Sequence, residues 1–153
     1  MITFVRRANP TDVDALRLLE SEARAQLGRF RGGDRLGSEL SFVDGGWAER
    51  IGSDNWLVFI AGFDDVPLGY LCANIATASG IPLIETVYVT PDVRQLGLGD
   101  GLVSAVIDSC RQLGANAIDA FALPGDRETK NLFERSGLTA RLLIASKQLH
   151  EKN

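Results

Sequence analysis

Between residues 56 and 113 the hydrophobic period changes once, from two to about 3.6, and the change falls on a run of glycines. Upstream stand three β-branched and aromatic runs, at 56–63, 68–76 and 82–89. The turn signals Asp64-Asp65-Val66-Pro67 and Ser79-Gly80 separate them, so they read as an antiparallel meander with short links. Downstream, residues 99–113 place Leu102, Val103, Val106, Ile107 and Cys110 on one helical face, and Gly114 ends the helix. The link between them, residues 89–102, reads VTPDVRQLGLGDGL. A strand must end there, and an amphipathic helix must begin among glycines.

The flanking segments extend this pattern. Residues 2–7 alternate loosely as a short strand. Asn9-Pro10-Thr11-Asp12 opens a helix that Thr11 or Asp12 can cap, and Val13, Leu16, Leu19, Ala23 and Leu27 carry it to Gly28. Residues 28–46 hold six glycines with Arg29, Arg31 and Arg35 between them, a flexible connection with room for one short helix. After the glycine-led helix, the spacing predicts a strand over 116–123, a helix over 126–136 closed by Gly137, and a last strand over 138–149. The order β-α-β-β-β-α-β-α-β is neither all-antiparallel nor strictly alternating. It predicts an α/β fold with a mixed sheet and helices on both faces. No linker or repeat divides the chain, so a single domain over 1–153 is expected.

Composition narrows the chemistry. The only histidine among 153 residues is His150, which leaves a Ser-His-Asp triad or a histidine metal site little to build on. Cys72 and Cys110 stand alone, so neither a redox pair nor a zinc ribbon is indicated, and no metal is expected. A net charge of -4 argues against a nucleic-acid partner. No apolar run approaches the ~18 residues of a membrane helix, and MITFVRRANP is not a secretory leader. With unpaired cysteines, these features predict a cytoplasmic protein with no membrane partner. Any catalysis would have to come from carboxylates, tyrosines and backbone.

The glycine segment suits an anion. A helix's first turn offers unpaired N–H groups and partial positive charge. Glycines let a bulky phosphate approach the backbone, and Arg94 can add a charged clamp. No Lys-Ser/Thr pair follows, so the P-loop pattern fails. Gly97, Gly99 and Gly101 are out of register for G-x-G-x-x-G, which disfavours a dinucleotide-binding module. Arg94, Gly97 and Gly99 do satisfy R-x-x-G-x-G.

That motif follows the strand Glu85-Thr-Val-Tyr-Val89 and the link Thr90-Pro91-Asp92-Val93. A second motif, Leu132-Phe-Glu-Arg-Ser-Gly-Leu138, lies about 35 residues on. Together they resemble the GNAT superfamily of acyl-CoA N-acyltransferases. The resemblance implies a centrally splayed sheet and transfer of an acetyl group from acetyl-CoA directly to an amine acceptor, a small molecule or a protein amino group. It implies that the amides of Leu96, Gly97, Leu98, Gly99 and Asp100, with Arg94 alongside, hold the coenzyme A pyrophosphate. Val87 and Val89 would pair through backbone with the pantetheine arm, and the Val87 amide would polarise the thioester carbonyl. The acyl group would sit where the sheet splays, commonly at a bulge.

Two side chains are candidates for proton transfer. Glu85 precedes the thioester position and is the candidate base. The tyrosine that the family often uses as proton donor is replaced by Phe133, so Tyr88 becomes the candidate acid, with Tyr70 and Ser136 behind it. Strict alternation puts Tyr88 on the face opposite Glu85 unless a bulge intervenes. Asp126 occupies a position where the family often has asparagine, and Asp100 would bring like charge near the phosphates. The last strand, 138–149, could pair across a homodimer. Arg29, Arg31 and Arg35 read as a solvated loop, Phe30, Trp47 and Trp56 as core or acceptor-pocket aromatics, and both cysteines as small core residues. The rival reading is a non-catalytic acyl-CoA binding or sensor domain, motivated by Phe133 and Asp100.

Overall fold

The computed structural model describes residues 2–40 and 42–150. Four strands form an antiparallel meander in spatial order: β1 (Thr3–Arg7), β2 (Trp56–Phe63), β3 (Val66–Asn74) and β4 (Leu83–Val89). A fifth, β5 (Asp119–Ala120), joins β4 in parallel. Alternation along β2 sends Leu57, Phe59, Ala61 and Phe63 to one apolar cluster and Val58 and Ile60 to another. That is why β2 reads as a nearly unbroken apolar run.

Helices cover both faces, as the element order predicts. On the first face lie α4 (Leu98–Gln112), through Leu102, Val103, Val106 and Cys110, and α5 (Arg127–Arg135), through Leu132 and Phe133. On the second lie α1 (Val13–Leu27), through Leu16 and Leu19, and α3 (Trp47–Gly52), through Trp47. A short helix α2 (Gly33–Glu39) is tied to α1 by Arg24, which donates to the carbonyls of Gly37 at 2.8 Å and Leu40 at 2.7 Å.

Three expectations need correction. The cap before α1 is Asn9, whose side chain accepts from the Thr11 amide at 2.9 Å. Pro10 opens a 3₁₀ turn there and moves the cap ahead of Thr11. Asp12 instead returns a bond to the Asn9 amide and pairs with Arg6 of β1 at 2.6 and 2.9 Å. Within 28–46 the chain builds the one short helix expected there, α2, followed by a 3₁₀ turn at Asp44–Gly46, and α3 begins only at Trp47. Gly33 is needed for that path, since a Cβ there would stand 1.7 Å from the Leu27 carbonyl oxygen.

The strand expected over 116–123 is only Asp119–Ala120, because β4 bends away at a bulge and pairing stops. The last strand, 138–149, does not form. A two-residue β5 offers almost no outer edge to pair with, and residues 139–150 are exposed without helix or strand. Among the described residues, side-chain contacts hold this segment, Arg141 to Asp119 at 2.9 Å and Arg35 to Ser146 at 2.9 Å.

Candidate active site

The bulge in β4 organises the site. Cys72 pairs with Thr86 and Ala73 with Ile84, which leaves Glu85 without a partner. The extra residue resets the alternation. Ile84 and Val87 both face the α4 side, while Tyr88 faces α1 and α3. The bulge thereby puts Glu85 and Tyr88, which strict alternation would separate, on the same side of β4, and both line one cavity.

At the same point β4 loses its parallel neighbour. The last bond between them runs from the Phe121 amide to the Ile84 carbonyl, at 3.2 Å. Beyond it the strands part. Thr90 donates to Leu68 of β3 at 2.8 Å, so by alternation the Tyr88 and Thr86 backbones also face β3. The amides of Val87 and Val89 consequently face the gap. This splay is expected from the resemblance, and it lies one strand from the sheet edge.

The gap leads to the start of α4. Gly97 takes a left-handed conformation, φ 89°, and provides no side-chain cap. Gln95 also has positive φ, 70°, which marks a sharply bent loop. The first intrahelical bond is Gly101 N–H to the Gly97 carbonyl, at 3.0 Å. The amides of Leu98, Gly99 and Asp100 thus have no acceptor within the helix, and Leu96 sits exposed beside them.

The other glycines divide by role. A Cβ at Gly99 would lie 3.2 Å from Leu132, and one at Gly101 would lie 2.9 Å from Val5 of β1. Gly101 is thus a packing glycine of α4, not part of the loop. Asp100 turns aside to Arg135 of α5 at 3.1 Å, which neutralises the like charge that the sequence puts near this helix end.

Arg94 is braced rather than free. Its Nε donates to the Val89 carbonyl at 2.9 Å, Nη1 to Glu128 at 2.7 Å and Nη2 to Gln26 at 3.2 Å. The guanidinium also lies 5.7 Å from the Tyr88 ring centre. It therefore joins β4, α1 and α5 around the gap. Asp126 caps α5, accepting from the Thr129 amide at 3.1 Å.

A cavity of about 590 Å³ connects these parts, within the range of small-molecule sites. It runs from the α4 amides, past Val87, Glu85 and Tyr88, to α1, α2 and α3. Burial pushes the Glu85 carboxyl up, while the Arg50 charge and a hydrogen bond from Asn74 pull it down. Burial also pushes the Tyr88 phenol up, helped by Glu22, to which its hydroxyl donates at 3.2 Å. Gln26 donates to that hydroxyl at 3.3 Å.

The alternates are placed less well. Tyr70 is fully buried against Trp47, edge to face, with its pKa driven up by burial. The Ser136 hydroxyl donates to the Leu132 carbonyl within its own helix, at 2.9 Å. Phe133 is core. Cys72 is buried with its thiol pushed up to about 11 by desolvation, and so stays protonated. Cys110 is buried too.

Several participants escaped the sequence reading. Glu20 is buried and accepts from the amides of Val43 and Asp44 at 2.8 and 2.9 Å, which pins the segment before α3. Glu22 and Gln26 look like surface positions on α1 but reach Tyr88 and Arg94. Arg50 stacks over Trp56 at 3.7 Å and lines the cavity. Helical spacing puts Glu22 and Gln26 four apart on one face, the only signal the sequence carries for them.

Residues 23–138 match the Acetyltransferase (GNAT) family. A protein described as a probable N-acetyltransferase camello, from Xenopus tropicalis, is 31% identical over 135 residues, which is 87% of this chain. The chain spans 58% of that relative's length. Among solved structures, aminoglycoside acetyltransferase AAC(6')-Iy, in complex with a bisubstrate analogue of coenzyme A, superposes with TM-score 0.67 at 21% identity. That match covers 97% of this chain and 99% of the other. A transcriptional regulator from Bacillus halodurans superposes with TM-score 0.69 at 17% identity, covering 97% of this chain and 100% of its own. At such identities the likeness is one of fold, and these two carry different descriptions. With the family match spanning most of its length, this chain belongs to the GNAT acetyltransferase family.

Proposed function

We propose that this protein is an acetyl-CoA-dependent N-acetyltransferase that moves the acetyl group directly to an amine. One observation carries the reading: β4 loses its neighbour beyond Ile84, and its open edge leads to the uncapped amides of α4 through a single cavity. Pantetheine is an extended amide chain and can pair with Val87, as an added strand pairs with a sheet edge. The Val89 carbonyl is held by Arg94, which leaves Val87 and the Val89 amide for this contact. The pyrophosphate would sit on the amides of Leu96 to Asp100, with Arg94 at its side.

In the reaction Glu85 takes a proton from the acceptor ammonium, and the neutral nitrogen adds to the thioester carbonyl carbon. The Val87 amide stabilises the oxyanion. The C–S bond then breaks, its electron pair leaves on sulfur, and the thiolate takes the remaining ammonium proton as the amide forms. Tyr88 is the proposed donor that assists this last transfer. Its phenol keeps its proton at neutral pH, but a tyrosinate beside Glu22 is disfavoured. Its assistance is therefore small, and the good leaving group covers the difference. A homodimer belongs to the same proposal, through the exposed residues 139–150.

Calorimetry with acetyl-CoA, combined with thiol release on a panel of amines, tests the reading. Micromolar acetyl-CoA binding with amine-dependent release is the expected result. Binding without release on any amine would establish the sensor alternative instead. Among the described residues no helix is long and apolar enough to cross a membrane.

A further inference from the structure

The cavity continues beyond Glu85 into a chamber between the sheet and α1, α2 and α3. Its walls there are largely apolar: Leu27, Phe30, Leu36, Leu40, Val43 and Trp47. Its charges are few, and most are already engaged. Both Glu20 oxygens accept backbone amides. Two Arg24 nitrogens are bonded to carbonyls of Gly37 and Leu40, and the guanidinium lies 5.0 Å from the Phe42 ring centre. Two charged groups are left, Glu85 and Arg50.

Arg50 differs from every other arginine lining the cavity. Arg94 and Arg135 each hold a carboxylate, and Arg24 donates to two carbonyls. Among the described residues Arg50 has no carboxylate within 4.0 Å. Its one side-chain hydrogen bond among the described residues is a long one to the Cys72 sulfur, 3.5 Å. Stacking on Trp56 at 3.7 Å fixes the plane of the guanidinium and leaves most of its N–H fork without an acceptor. A half-buried, oriented guanidinium of this kind matches a carboxylate bidentately. The Cys72 it touches pairs across the ladder with Thr86, the residue after Glu85, so the two charged groups are neighbours without being in contact.

We propose that the acceptor is an α-amino acid with an apolar side chain. Its carboxylate would bind Arg50, its α-ammonium would face Glu85, and its side chain would fill the apolar chamber. The short distance between the amine and carboxylate of an α-amino acid suits the closeness of Glu85 and Arg50. A polyamine or aminoglycoside fits poorly, because no unengaged carboxylate beyond Glu85 lines this chamber to receive a second ammonium. This inference rests on the acetyltransferase reading above. The reaction is the same: C–N forms, C–S breaks, and the thiolate takes a proton.

Thiol release with acetyl-CoA separates the two. Leucine and phenylalanine are compared with their decarboxylated partners, isoamylamine and phenethylamine, and with spermidine and kanamycin. The amino acids should show kcat/KM at least about tenfold above the matched amines, the discrimination a charge-assisted bidentate pair supplies. Arg50→Gln should raise the amino-acid KM far more than it lowers kcat, and should collapse that preference. Arg50→Lys, which keeps the charge but loses the fork, should fall between, and it serves as the test if Arg50→Gln does not fold. Equal or better turnover of the matched amines, or of spermidine or kanamycin, overturns the inference and leaves acetyl transfer standing. So does a preference that survives in both Arg50 variants. Acetyl-CoA binding with no release on any of these compounds overturns the inference, and the wider amine panel then decides the acetyltransferase reading.

Discussion

Glu85 is a carboxylate whose burial opposes ionisation, and a base must be ionised to act. Activity should therefore rise as pH climbs through its raised pKa, and Glu85→Gln should remove that limb while lowering kcat about 10²–10⁴-fold. The same burial makes the charged form costly to the fold. Stability at neutral pH should accordingly be unchanged or higher in Glu85→Gln, as urea unfolding would report.

Asp12 has the opposite sign. Arg6 holds its carboxyl below the usual carboxylate range, so its contribution is complete above that range and disappears as pH falls through the depressed value. Asp12→Ala loses a charge-assisted pair and a bond to the Asn9 amide, and should cost about 2 kcal/mol at pH 7 in urea unfolding. The gap from wild type should close in strong acid.

Gly97 and Gly99 separate two uses of glycine that their motif merges. Gly97→Ala should cost about 1–2 kcal/mol and weaken acetyl-CoA binding, because φ 89° is closed to alanine. Gly99→Ala meets the flexible end of Leu132 at 3.2 Å and Val89 only at ordinary contact distance, and should be milder on both counts, by unfolding and by calorimetry.

At the scale of elements, β4 is the strand on which the candidate site depends. Its length, apolar content and end at Thr90-Pro91 could be read from the chain, and so could the helix after the glycines. The bulge at Glu85 could not. No glycine marks it, and it exists because β3 and β4 are out of step by one residue between Cys72 and Ala73. That single residue decides that Glu85 and Tyr88 share a side of β4. Since Val87 does not bond to β3, Val87→Pro removes an amide from the gap without breaking the ladder. We expect about a 10²-fold loss in kcat with little change in circular dichroism. An unchanged kcat would show that the Val87 amide does not meet the oxyanion.

At the scale of the whole molecule, the two faces of the sheet hold different parts of the proposed reaction. The α4 and α5 side carries the uncapped helix end, and the α1, α2 and α3 side carries the chamber. Arg94, Gln26 and Tyr88 link the two sides across the gap. The exposed residues Leu142, Leu143 and Ile144 lie outside this frame, at 69, 86 and 80% exposure. Under the homodimer proposal, sedimentation velocity should find a two-chain species for the wild type and a one-chain species for Leu143→Lys. A monomeric wild type would refute the dimer.

The sequence by itself determined what local rules can determine. Period two set the meander, period 3.6 set α1 and α4, and glycine at a strand-to-helix link set a backbone site for an anion. Those features depend on neighbours a few residues apart. The tertiary structure alone decided the rest. Whether 138–149 pairs as a strand depends on whether β5 offers an edge, and β5 is two residues long. Whether Glu85 and Tyr88 share a side of β4 depends on the register between β3 and β4. That Arg94 is a brace and Arg50 is not depends on which carboxylates and carbonyls the packing brings within reach. Each of these is a contact between distant parts of the chain, and no periodicity records it.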